Sequence, residues 1–382
     1  MKLAILTTDN REHYKDYQCP HPYFGTAPEA LLQGFAASPE IEVHVISCVR
    51  HPLAPTQWAA NIFHHPLHVP KFGWMSTFYQ GCIRATRRKL SQIKPDIVHG
   101  QGTERECAMG AVFSGHPNVL TIHGNMAELA RMFKMRIGSY GWLAARLENF
   151  ALKRTAGTFC NSSYTRQLVA PRTPKTWLVS NAIRADFFAP LPNATAKNSR
   201  PILLNVGLVS PRKRQLELLD LAVRLHAEGN SFELHFLGDI GSSEYGRAFL
   251  EKIKPLEKAG FARYIGKKNT AELIQCFDRS QGLIHFPNEE AFGLVVAEAL
   301  ARNLKFFGAR LGGITDIAGD IPEAELFEAG DWAGLQTGIS RWLHLGAARS
   351  LATQTVIADR YHPRQIAQRH IEIYREVLST RS

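Results

Sequence analysis

Short β-branched runs alternate with amphipathic segments along the chain, stop near residue 187, and resume at residue 202. "LAILTT" (3–8), "IEVHVIS" (41–47), "DIVHG" (96–100), "NVLTIHG" (118–124) and "GTFCNS" (157–162) read as buried parallel strands that end in small or polar residues. Between them, 27–37, 76–92, 104–114 and 141–155 carry apolar residues at helical spacing. Over "FFAPLPNATAKNSRP" (187–201) prolines, asparagines and alanines replace the alternation, and "ILLNVG" (202–207) restarts it. The second run predicts strands at 202–206, 232–237, 282–286 and 304–307, with helices near 214–228, 244–258, 293–303 and 331–344. This is an α/β pattern of two Rossmann-like, doubly wound domains facing a cleft, with ligands at the carboxyl ends of the strands. The expected divisions are 1–190, 191–362 and a terminal segment, 363–382, whose charged amphipathic helix "PRQIAQRHIEIYREVL" (363–378) is expected to pack back on the first domain.

A chain of 382 residues with 45% hydrophobic content can fill two cores. Its net charge of +11 favours an anionic partner: a nucleotide, a nucleic acid or an anionic membrane face. Its basic residues form no stripe interleaved with aromatics, which argues against nucleic acid. No G-x-G-x-x-G follows either "LAILTT" or "ILLNVG", which argues against a dehydrogenase. The six cysteines lie far apart with no CxxC, so reduced thiols, no structural zinc and a cytoplasmic location are expected. The N-x-S/T triplets at Asn161 and Asn193 then carry no sugar. "MKLAILTTDNREH" has too short an apolar run for a secretory leader, and no stretch approaches the roughly 18 apolar residues of a membrane span. Without a D-x-D or H-E-x-x-H pattern, neither a metal nor a cofactor is expected.

The stretch "PNEEAFGLVVAEAL" (287–300) sets Glu289, Glu290 and Glu298 around a Phe-Gly turn and an apolar run. Eight helical steps would separate Glu290 from Glu298 by about 12 Å at 1.5 Å per residue, comparable to the distance from sugar to ribose in a nucleotide-sugar. The backbone amides of Phe292, Gly293, Leu294 and Val295 lie between them at a helix start, which favours a phosphate oxygen. The alternative is that Glu290 caps the helix and Glu298 sits on its wet face. Glu289 reads as a solvated neighbour.

"EEAFGLVVAEAL" resembles the E-x7-E signature of retaining glycosyltransferases with the GT-B fold, in particular glycosyltransferase family 4. "NVGLVSPRKRQLELL", "TIHGN", "RLENFALKRTAGTFCNSSYT", "VSNAIRADFFAP", "ARLGGITDIAG" and "ELFEAGDWAGL" resemble further family segments in the family's order. The resemblance implies metal-independent transfer of a sugar from a UDP- or GDP-sugar to a glycan or lipid-linked acceptor, in cell-envelope polysaccharide synthesis. It implies that Glu290 orients donor-sugar hydroxyls, that Glu298 holds the ribose, and that Lys213 meets the phosphates. The family often has an arginine directly after the glycine of this loop. Here Leu208 follows Gly207, and Arg212 is the substitute cation, ahead of Arg214. By the same resemblance His123 lies near the reacting sugar, Lys267 near the base, and Gly312 and Gly313 form a loop that lets backbone approach the ligand. Phe24, Gly25 and Thr26 stand in the loop that touches diphosphate or acceptor. Each of these also has a plain structural reading: a satisfied strand-end histidine, a solvated lysine, a strand-to-helix turn.

Stretches 68–95 and 131–150 mix aromatic with basic residues, a pattern that suits either an anionic membrane or a half-buried helix with a solvated basic face. The first fits a protein at the inner face of a membrane. Rival functions are a non-catalytic nucleotide-sugar-binding protein and a sugar-nucleotide epimerase of the same fold.

Overall fold

The computed structural model describes residues 1–191 and 200–380. Part of the break at 187–201, with the Asn193 triplet, lies outside the described residues. The chain divides into two compact units, one of 1–184 with 361–382 and one of 185–360.

The N-terminal unit holds eight strands: β1 Lys2–Leu6, β2 Glu42–Val49, β3 Thr56–Ala59, β4 Ile62–His68, β5 Ile97–Gln101, β6 Asn118–Ile122, β7 Thr158–Cys160 and β8 Thr176–Leu178. They form one sheet in the order β3-β4-β2-β1-β5-β6-β7-β8. Every pair is parallel except β3 with β4, an edge hairpin. Both faces are covered, which is why β1, β5 and β6 are buried along their length with almost no alternation. One face carries Phe35, Ile366, Ile371 and Tyr374 and the other Cys82, Leu90, Ala111 and Leu152. The helix Pro363–Ser379 thus belongs to the N-terminal unit, packed along Thr26–Ala36. At their crossing Gly34 lies so close to the Pro363 carbonyl that a Cβ would sit 2.2 Å from its oxygen.

The C-terminal unit holds β9 Ile202–Val206, β10 Glu233–Leu237, β11 Ala262–Gly266, β12 Gly282–His285, β13 Lys305–Ala309 and β14 Ala324–Phe327, all parallel, in the order β11-β10-β9-β12-β13-β14. Its core is built on Leu203, Leu218, Phe236, Ile284 and Phe307. Strand order reverses between β9 and β12. The helices that follow these two strands lie on opposite faces of the sheet, and the carboxyl ends of strands at such a reversal are where open α/β sheets take ligands.

Candidate active site

Two loops meet at that reversal in the C-terminal unit. The first, 207–214, leaves β9 and turns into the helix Gln215–Ala227, with backbone bonds from Lys213 and Arg214 to the Ser210 carbonyl. The second, 286–293, leaves β12 and enters the helix Leu294–Ala301 through Gly293, whose φ of 98° is left-handed. The loops are tied by Asn288 N–H donating to the Arg212 carbonyl at 2.8 Å.

Across this join two cations face two carboxylates. Arg212 donates to Glu289 Oε2 at 2.8 Å, and Lys213 Nζ pairs with Glu290 Oε2. His285, the last residue of β12, reaches the same Glu290 oxygen at 2.8 Å through Nε2. All three acids of the stretch are buried, Glu289, Glu290 and Glu298 alike. Burial alone would raise the Glu290 pKa, but the Lys213 charge and the hydrogen bond from His285 outweigh it and hold the carboxyl well below its usual range. Burial and the Lys213 charge lower His285. It is therefore a neutral imidazole donating Nε2–H to an ionised carboxylate.

This geometry corrects several sequence expectations. Glu289 is not a solvated neighbour, because Arg212 takes it out of water. Glu290 is not a helix cap, since Gly293 occupies that position without a side-chain bond. Glu298 is not on a wet face; it is buried in the second turn. The helix starts at Leu294, so Phe292 precedes it with its ring in the core, and the first-turn amides begin at Gly293, Leu294 and Val295. Gly312 and Gly313 open the helix Gly312–Ala318 rather than forming a loop. A Cβ on Gly313 would lie 2.5 Å from Phe292 Cα, and its N–H donates to the Glu290 carbonyl at 3.1 Å. That glycine is required because the acidic loop presses on it.

Other assigned residues fall elsewhere. Arg214 turns aside, its guanidinium 4.6 Å from the Trp332 ring centroid and bonded to Glu217. Lys267 follows β11, exposed, just before the helix Thr270–Arg279. In the N-terminal unit Phe24 is a core residue edge-on to the His64 ring. Gly25 caps the helix that begins at Thr26.

His123 follows β6 in the N-terminal unit. Its Nε2 lies 2.8 Å from Gln101 Oε1, and the Gln101 amide nitrogen faces the His99 ring, which is bonded to Tyr374 and Thr121. With the amide so oriented, His123 donates from Nε2 and leaves Nδ1 as an acceptor. Burial lowers its pKa to about 4, so the ring is neutral near pH 7. The loops around it are held by Glu148, fully buried, which accepts from Thr103 Oγ1, Met126 N–H and Ala127 N–H and pairs with Arg172.

Sequence reasoning missed His285, Gln101 and the pairing of Glu289. The one legible signal for His285 was a polar residue ending the apolar strand "GLIH", five positions before Glu290.

Residues 29–187 match the family model described as Glycosyltransferase Family 4, and residues 190–356 match Glycosyl transferases group 1. Both units are glycosyltransferase domains, on a GT-B fold. Among solved structures, the sucrose-phosphate synthase of Thermosynechococcus elongatus superposes with a TM-score of 0.77 at 17% identity, covering 100% of both chains. Anabaena HepE in complex with UDP-glucose gives 0.74 at 14% identity, again over 100% of each chain. The catalytic domain of starch synthase IV from Arabidopsis thaliana, bound to ADP and acarbose, gives 0.69 at 14%, covering 99% of each. No curated protein matches the chain significantly. The glycosyltransferase domains join the fold to sugar transfer, and Lys213, His285 and Glu290 meet where β9 and β12 neighbour each other in the second domain.

Proposed function

We propose that the protein is a retaining glycosyltransferase of the E-x7-E type, moving a sugar from a UDP- or GDP-sugar to a glycan or lipid-linked acceptor without a metal ion. The observation that carries this is Glu290, a buried carboxylate kept ionised by Lys213 and His285 beside a helix start at the strand-order reversal. Solved relatives of the same fold bind UDP and UDP-glucose, which supports a nucleotide-sugar donor.

Lys213 neutralises Glu290. An incoming diphosphate competes for the same ammonium, and as Lys213 turns toward phosphate, Glu290 is released to accept hydrogen bonds from donor-sugar hydroxyls. Arg212 can exchange Glu289 for phosphate in the same way. Charge that builds on the leaving diphosphate is then met by fixed cations and by first-turn amides of Gly293, Leu294 and Val295, a preorganised role that needs no metal. Glu298 is assigned to the ribose and Lys267 to the surroundings of the base. His123 is assigned a hydrogen bond accepted at Nδ1 from a hydroxyl of the reacting sugar. The acceptor's proton passes to the departing phosphate, a front-face route that retains anomeric configuration.

Proton NMR of the product formed from a UDP- or GDP-sugar that supports transfer tests retention: the glycosidic linkage keeps the donor's anomeric configuration, and an inverted linkage refutes the proposal. Transfer that survives a chelator supports the metal-free step, whereas loss restored by magnesium overturns it.

A further inference from the structure

Six of the fifteen exposed large hydrophobic residues among the described ones lie in two short segments of the N-terminal unit: Phe72 and Phe78, and Met132, Phe133, Ile137 and Tyr140. The most exposed of these are Phe72, at 81%, and Ile137, at 84%. The segments form one surface. Met75, between the two phenylalanines, packs on the same cluster of Met126, Ala144 and Ala145 as Ala127, Leu129 and Ala130, and the Tyr79 and Tyr140 hydroxyls are hydrogen-bonded. A patch of this kind on a folded domain is normally covered by something.

Charge decides what covers it. Within 71–79 and 131–140 the charged residues are Lys71, Arg131, Lys134 and Arg136, all cationic. Arg131 is neutralised by Glu128, and no ion pair joins Lys71, Lys134 or Arg136 to an acid among the described residues. Directly after the first segment, the helix Gln80–Ile93 turns Arg84, Arg87 and Arg88 outward. A second copy of this chain would set these cations against their own kind, whereas a lipid surface offers apolar depth to the rings and anionic headgroups to the cations.

We propose that this surface docks the protein on an anionic bilayer, with Phe72, Phe78, Phe133 and Ile137 inserted at the headgroup boundary and Lys71, Lys134 and Arg136 against the headgroups. The attachment proposed is peripheral; no described helix is long and apolar enough to cross a membrane. The inference requires no assumption about the sugar transferred, and lipid binding is measured apart from activity, so either reading can fail without the other.

The test is co-sedimentation with phosphatidylcholine vesicles, with and without about a third phosphatidylglycerol, at low salt. Binding is expected only to the anionic vesicles. The variant Lys134→Gln with Arg136→Gln should bind roughly 30-fold more weakly, from about 1 kcal/mol per cation. Phe72→Ser with Ile137→Ser should bind at least tenfold more weakly, and its unfolding temperature should match wild type because both side chains are exposed. Equal binding by wild type and both variants, or no binding to anionic vesicles, overturns the proposal. So does a dimer in sedimentation velocity that Phe72→Ser with Ile137→Ser abolishes while vesicle binding is absent.

Discussion

Replacing Glu290 by Gln keeps shape and hydrogen-bonding capacity but removes the charge on which the site is balanced. The pair it breaks is largely buried, with the Lys213 side chain 12% and the Glu290 side chain 11% exposed. At about 3 Å and an effective dielectric of 20 the gross attraction is about 5 kcal/mol, and breaking one partner of a buried pair costs roughly 3–5 kcal/mol. The double variant Glu290→Gln with Lys213→Met should be more stable than the sum of the two single losses, by roughly 1–3 kcal/mol, because it leaves no stranded ammonium. Urea unfolding of the four proteins measures that coupling. The sign with pH also follows. A carboxyl whose folded pKa is depressed contributes stability that is present above about pH 4.3, its unfolded value, and is lost as pH falls through the folded pKa. Wild type should lose stability in acid more steeply than Glu290→Gln. Transfer should fall about 100-fold or more in Glu290→Gln, the scale of removing a group that stabilises the transition state. Additive stabilities, parallel acid profiles and wild-type turnover would together refute the reasoning.

Glu298→Gln should weaken donor affinity more than turnover, seen as a raised KM with kcat within a few-fold of wild type; the reverse split would remove it from the ribose. Gln101→Leu should free His123 Nε2, so that the ring nitrogen shifts in long-range 1H–15N spectra move away from a single Nε2–H tautomer. An unchanged spectrum would show that Gln101 does not set it. His370 and His123, held near pKa 4 by burial, are neutral in the folded state, so stability of the N-terminal unit should fall by a few kcal/mol from pH 6.5 toward 4. A flat Tm over that range would contradict this. Gly313→Ala should cost roughly 1–3 kcal/mol or more by pushing on the Phe292 backbone, and should lower donor affinity with it.

The strands that carry the site were legible because they are buried on both faces and therefore read as short, mainly apolar runs; β9, β12 and β13 follow that pattern, whereas β10, ELHFL, alternates Glu and His with apolar residues. The elements that were not legible lack that signature. Strands β3 and β8 are short and lie at the sheet edges, and β3 has no buried residue. The helix Thr270–Arg279 buries only Phe277, but it is amphipathic and Asn269 and Glu272 form a capping box visible as N-x-x-E, so its signals were present in the sequence and were passed over. The helix Gly312–Ala318 hides behind two glycines that propensity places in a loop. In the site, Glu290 and Lys213 were readable from a motif, but the partner of Glu289 was not. Arg212 lies 77 positions away in sequence, and the two meet only because β9 and β12 are neighbours in the sheet. The stretches that hold Phe72 and Ile137 were legible as aromatic and basic, but the choice between a membrane-facing and a half-buried reading was not, because exposure of an apolar residue is set by its neighbours in space.

The central claim is that the crevice around Lys213 and Glu290 binds a nucleotide-sugar. A thermal-shift screen of UDP-, GDP- and ADP-sugars tests it most directly, since a donor at about 100 times its dissociation constant adds about 2.7 kcal/mol of stability. One nucleotide class should raise the unfolding temperature of wild type, and the rise should shrink in Lys213→Met. No rise with any donor at millimolar concentration, or an equal rise in Lys213→Met, would contradict the account.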